Sequence, residues 1–112
     1  MQSNFYNFVK SKAEEYFGSL GFDEETVSAL QEQAVLDLQE NLDKFKQWIE
    51  SEQNDLEELA TLAHTIKGVL VNMGLDDLGA KFKNIQNLIM DNADKETVVT
   101  AASTLVTELD TF

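Results

Sequence analysis

From Phe5 to Leu109 the apolar residues of this chain recur at three- and four-residue spacing, and no proline interrupts them. That is the period of a helix with one buried face, and without proline such helices can run long. Phe5, Phe8, Val9, Ala13, Tyr16, Phe17 and Leu20 predict a short N-terminal amphipathic helix that stops near Gly18 or Gly21. Asp23 can cap the next helix, with Glu24 and Glu25 favourably placed in its first turn. Its stripe is Val27, Leu30, Ala34, Leu38, Leu42, Phe45, Trp48 and Ile49, in one piece or two.

The pattern resets around residues 51–54, where Asn54 or Asp55 can cap a third helix. Its apolar positions are Leu56, Leu59, Leu62, Ala63, Ile66, Val69, Leu70 and Met73, and Gly74 suits the left-handed residue just past its end. Asp76 can cap a fourth helix carrying Leu78, Phe82, Ile85, Leu88 and Ile89. After a break at Asn92 and Ala93, Asp94 can cap the last, with Val98, Ala102, Leu105, Leu109 and finally Phe112. Short connections between helices of similar length imply antiparallel neighbours. The expected fold is all-α and a single domain. An antiparallel up-down four-helix bundle spans 23–110, and an additional N-terminal helix and turn spans 1–21 as a lid or cap.

Composition removes several function classes. There is no cysteine, so zinc-thiolate sites and thiol chemistry are out, and a single histidine rules out a two-histidine metal site. The net charge of −13 argues against nucleic acid and anionic membrane surfaces as partners. The longest clean apolar run, Val69-Leu70-Val71, is far short of a membrane span, and no signal-peptide stretch opens the chain. A cytoplasmic protein is the default expectation. All eight bases are lysines, so no arginine clamps a phosphate in cis. No serine sits in a nucleophile-elbow context, and the glycines form no phosphate-cradling loop.

The one histidine, His64, sits in Ala63-His64-Thr65-Ile66-Lys67-Gly68. On a helical wheel Leu59, Leu62, Ala63, Val69, Leu70 and Met73 lie within about 60° of Ile66. His64 lies about 160° away, Gly68 about as far on the other side, and Lys67 near 100°. The imidazole is therefore expected opposite the core, on a face shared with Glu57, Ala60, Thr61, Val71 and Asn72. A glycine inside a helix costs on the order of 1 kcal/mol relative to alanine. Gly68 makes no cap and faces away from the core, so clearance for a docking partner explains it better than packing does. A lone imidazole, a fixed positive charge and a missing side chain make an accessible site for a phosphoryl group.

This stretch, followed by Asn72-Met73-Gly74-Leu75, resembles the histidine-containing phosphotransfer (HPt) domain of two-component phosphorelays. The resemblance covers roughly residues 23–109 in helix order and is strongest over 56–89. It implies that His64 is phosphorylated, that Lys67 lies near the phosphohistidine, and that Gly68 lets a receiver domain's aspartate approach. It also implies that a residue on the next helix hydrogen-bonds the other imidazole nitrogen. Gln86 fits that spacing, at about 70° from the centre of its helix's apolar stripe. The implied partners are response-regulator receiver domains, a hybrid sensor histidine kinase, or both. The docking face would hold Ala60, Thr61, Val71 and Lys83 around His64, Lys67 and Gly68. The implied chain is a phosphocarrier without kinase or hydrolase activity and without a cofactor of its own, the Mg2+ residing on the receiver. Met1 favours a freestanding carrier over a piece of a hybrid kinase. Val69 and Leu70 depart from the small residues often found after the glycine, which touches only local packing. The alternative is a helical-bundle adaptor in which His64 is incidental. A hydrolase that drains phosphate from a receiver ranks last, because no extra base is present to activate water.

Overall fold

The computed structural model describes residues 2–51 and 55–112. The described residues form five helices: α1 Gln2–Ser19, α2 Glu24–Glu50, α3 Leu56–Asn72, α4 Asp76–Met90 and α5 Lys95–Leu109. No glycine or proline falls inside α2, and it runs unbroken for 27 residues, about 40 Å at the helical rise. Around the bundle α2 packs on α3, α3 on α4, α4 on α5, and α5 back on α2, while α1 lies along α2.

Side-chain caps set three of the helix starts. The backbone N–H of Thr26 donates to Asp23 at 2.8 Å, that of Glu58 to Asp55 at 3.2 Å, and that of Thr97 to Asp94 at 2.8 Å. Asn54, the other candidate cap of α3, lies outside the described residues. The buried Trp48 indole donates to the Asp55 carbonyl at 3.0 Å, which ties the end of α2 to the start of α3. Asp76 is not the cap of α4. Leu75 holds that position and offers no side-chain bond, and Asp76 and Asp77 form the first turn. The reason is the turn before it. The N–H of Leu75 bonds the Leu70 carbonyl and that of Gly74 bonds the Val71 carbonyl, with Gly74 at φ +79°. This left-handed closure uses only Met73, Gly74 and Leu75, so α4 starts one residue earlier than an Asp76 cap requires. The two aspartates act there through charge at the helix N-terminus. Asn92, at φ +62°, closes α4 in the same manner.

One hydrophobic core runs through all five helices. Leu38, Leu42, Phe45, Leu59, Ile66, Leu70, Phe82 and Val98 are fully buried, and the Phe45 and Phe82 rings meet edge-on at 5.3 Å. The N-terminal helix is a cap built into this core rather than a detachable lid. It buries Phe5, Val9, Ala13 and Phe17. At one end the Phe5 and Phe8 rings hold Phe112 at 5.2 and 4.9 Å; at the other the Tyr16 ring covers Gly74. A Cβ on Gly74 would sit 2.5 Å from Tyr16, so that turn needs glycine for both its φ and its clearance. Leu20, assigned above to the apolar series of α1, is instead 55% exposed. The helix ends at Ser19, and Leu20 falls in the turn closed by Gly21 at φ +90°, out of phase with the stripe.

Candidate functional site

Helix α3 has the phase its sequence implies. Leu59, Ala63, Ile66 and Leu70 are fully buried, whereas Thr61, His64, Thr65, Val71 and Asn72 are exposed. Ala60, Lys67 and Gly68 are half-buried, as are Leu62 and Val69 at the edges of the apolar arc. His64 therefore stands on a convex helix surface. A Cβ added at Gly68 would meet nothing within 4 Å, so the space beside the histidine is open.

Helix α4 forms the other wall. The backbone of Gly79, buried in its second turn, lies against Val71 and Lys67 of α3. From Gly79, steps of four, three and four residues along the same α4 flank reach Lys83, Gln86 and Met90. On α3 the matching flank runs from Val71 through Lys67 and His64 to Ala60. The three-residue turn makes the helices antiparallel, so these two rows form one seam. Along it Lys83 is exposed, Gln86 is half-buried, and Met90 is 68% exposed.

The structure places Val71 and Lys67 of α3 at Gly79 of α4, and by helical phase Ala60 and His64 continue that flank of α3 while Lys83 and Gln86 continue that of α4. Thr61 and Gly68 fall on the side of α3 away from α4. No hydrogen bond joins His64 and Gln86. Gly79 went unread in the sequence because its phase, about 90° from the centre of the α4 stripe, marks neither core nor surface. Its signal was available, a second glycine in a helix interior.

Among the described residues no cluster of three or more histidine, cysteine, aspartate or glutamate side chains could hold a metal ion. No helix among them is long and apolar enough to cross a membrane. A cleft of about 470 Å³ lies between α1 and the start of α2, and none of its lining residues belongs to α3 or α4. The arrangement at His64 is an exposed imidazole on a bare helix, with a lysine one turn on and open space at Gly68.

The family model described as the Hpt domain matches residues 19–112, leaving out most of α1. No curated protein and no solved structure matches the chain.

Proposed function

The chain belongs to the Hpt domain family, which places it in phosphorelay signalling, and we propose that it relays a phosphoryl group between receiver-domain aspartates through His64. The observation that carries this reading is the exposed imidazole beside the open space at Gly68. The exposed ring nitrogen of His64 attacks the phosphorus of a receiver's aspartyl phosphate. A P–N bond forms, the P–O bond to the aspartate breaks, and the carboxylate leaves with the electron pair. The reverse step returns the group to another aspartate.

Phosphoryl transfer asks mainly for positioning and charge stabilisation. Lys67 offsets charge on the bound phosphoryl group, to an extent that solvent limits. Gln86, on the facing flank of α4, orients the ring once the phosphoryl group is on it. The Mg2+ and the aspartate belong to the receiver. Ala60, Thr61, Val71 and Lys83 form the docking face around the histidine, in support of which Val71 and Lys83 are exposed. On this reading the protein is a phosphocarrier, and it is expected to act without kinase or hydrolase activity of its own.

The test is to mix the protein with phosphorylated receiver domains and follow the label. Wild type should take up an acid-labile, base-stable phosphate, and His64→Gln should take up none while keeping its helical content and melting temperature. Uptake by His64→Gln would refute the reading. An adaptor bundle gives the opposite pattern: the variant binds its partner as wild type does, and no label moves.

A further inference from the structure

Gly79 lies in the interior of α4, where it makes no cap and has an ordinary helical backbone. A Cβ built on it would stand 2.9 Å from Val71 Cγ2, 3.3 Å from the Lys67 carbonyl oxygen and 3.7 Å from Lys67 Cγ. The first distance is one that real Cβ atoms do not tolerate, and neither neighbour gives way easily. Val71 is β-branched and stiff at χ1 in a helix, and the Lys67 oxygen is backbone, held in the α3 ladder. The bare Cα is therefore what lets α4 close onto α3 at this level.

Two of the three atoms that a methyl would meet belong to Lys67: its carbonyl oxygen, at a tight 3.3 Å, and its Cγ, at an ordinary contact distance of 3.7 Å. The start of the Lys67 stem therefore runs beside the α4 backbone at Gly79. Long helical side chains lie back over the turn N-terminal to their own Cα. For Lys67 that is the turn carrying His64, one helical step away. We propose that Gly79 is a positioning residue that acts through Lys67. By allowing close approach of α4, it restricts the lysine stem and keeps the ammonium over the His64 turn, where the phosphoryl group is carried. The inference rests on the phosphocarrier reading of His64.

Phosphoramidate tests it without a protein partner. The His64 ring nitrogen attacks the phosphorus of this donor, a P–N bond to the imidazole forms, the bond to the donor's nitrogen breaks, and ammonia leaves. Labelling rates are read by intact mass for wild type, Gly79→Ala, Lys67→Met and the double variant. Each single variant should label roughly three- to tenfold more slowly, short of the roughly hundredfold that a misplaced reacting group can cost. The double variant should be no slower than Lys67→Met, because both changes remove one effect. Wild-type rates in either single variant, or a further loss on adding Gly79→Ala to Lys67→Met, would overturn the proposal. A purely structural role for Gly79 gives that further loss. The wild-type protein supplies a reading that needs no variant: the Lys67 γ protons should show an NOE to the Gly79 α protons, and its absence overturns the proposal even where Gly79→Ala does not fold. If wild type carries no label on His64, the phosphocarrier reading fails and this inference falls with it. A labelled wild type with an unaffected Gly79→Ala removes the inference alone.

Discussion

Gly68 and Gly79 sit in the interiors of the two arms of one helical hairpin, and each costs its helix about 1 kcal/mol relative to alanine. Their surroundings are opposite. A Cβ at Gly68 would meet nothing within 4 Å, whereas one at Gly79 would meet Val71 at 2.9 Å and the Lys67 carbonyl at 3.3 Å. One glycine keeps space open to the outside, and the other consumes it between two helices. A glycine inside a helix says that a side chain is unwanted, but not by whom. The same contrast separates the two sides of α3. The outer side is exposed and open, and the inner side is closed by the neighbouring helix.

The largest effects should divide along that line. Ile66→Ala empties a fully buried site in α3 and should cost about 2–5 kcal/mol, while its folded fraction still accepts phosphate. His64→Gln, two residues away, should leave the melting temperature unchanged and abolish transfer. Paired melts and transfer assays check both, and a His64→Gln that melts much lower would erase the distinction between the two sides.

Gly68→Ala sharpens the comparison next. With nothing for the methyl to strike, it should stabilise the protein by up to about 1 kcal/mol. A leucine at the same position should leave the fold intact and block receiver docking. A melt in which Gly68→Ala destabilises would show that this glycine, like Gly79, makes room for a neighbouring helix and not for a partner.

Smaller effects are expected at the exposed rim. Val71→Asp and Lys83→Glu should each slow transfer from a cognate receiver without altering the circular dichroism spectrum. The Lys83→Glu defect should shrink as salt rises, because an exposed charge steers encounter through a screened field. Chemical-shift mapping that places the receiver opposite His64 would break the assignment of this face.

The smallest effects concern pH and lie away from the seam. Hydrogen bonds from the Thr26 backbone N–H and then its hydroxyl hold the Asp23 carboxyl below its ordinary value. The Thr97 hydroxyl and then its backbone N–H do the same for Asp94. A carboxyl whose pKa is lower in the folded state contributes stability that is full above its unfolded pKa. That contribution is lost as pH falls through the folded value. Melts taken from about pH 5 downward should therefore show an acid-side decline, reduced in Asp23→Ala and Asp94→Ala. At the alkaline end the sign reverses. Burial and then the Asp43 charge push the Tyr6 hydroxyl up to about 12. The folded state thus holds a proton that the unfolded chain releases near its ordinary pKa of about 10. Stability should fall between those two values, and Tyr6→Phe should remove that part of the decline.

Much of this was legible in the chain itself. Apolar period and the absence of proline specify the helices, and Asp23, Asp55 and Asp94 mark three starts because a short carboxylate satisfies free N–H groups locally. The outward phase of His64 follows from the position of Ile66 alone. These features are local, and local geometry is what spacing encodes. Other features depend on which surfaces meet, and spacing is silent on that. Leu20 has the right interval and the wrong place, because Gly21 ends the helix before it. Asp76 has a capping side chain that the turn at Gly74 leaves unused. Only the tertiary structure placed Tyr16 over Gly74, Phe112 against α1, and Gly79 against Val71 and the Lys67 carbonyl. In each case the deciding quantity is a distance between segments remote in sequence, set by how closely two helices can approach.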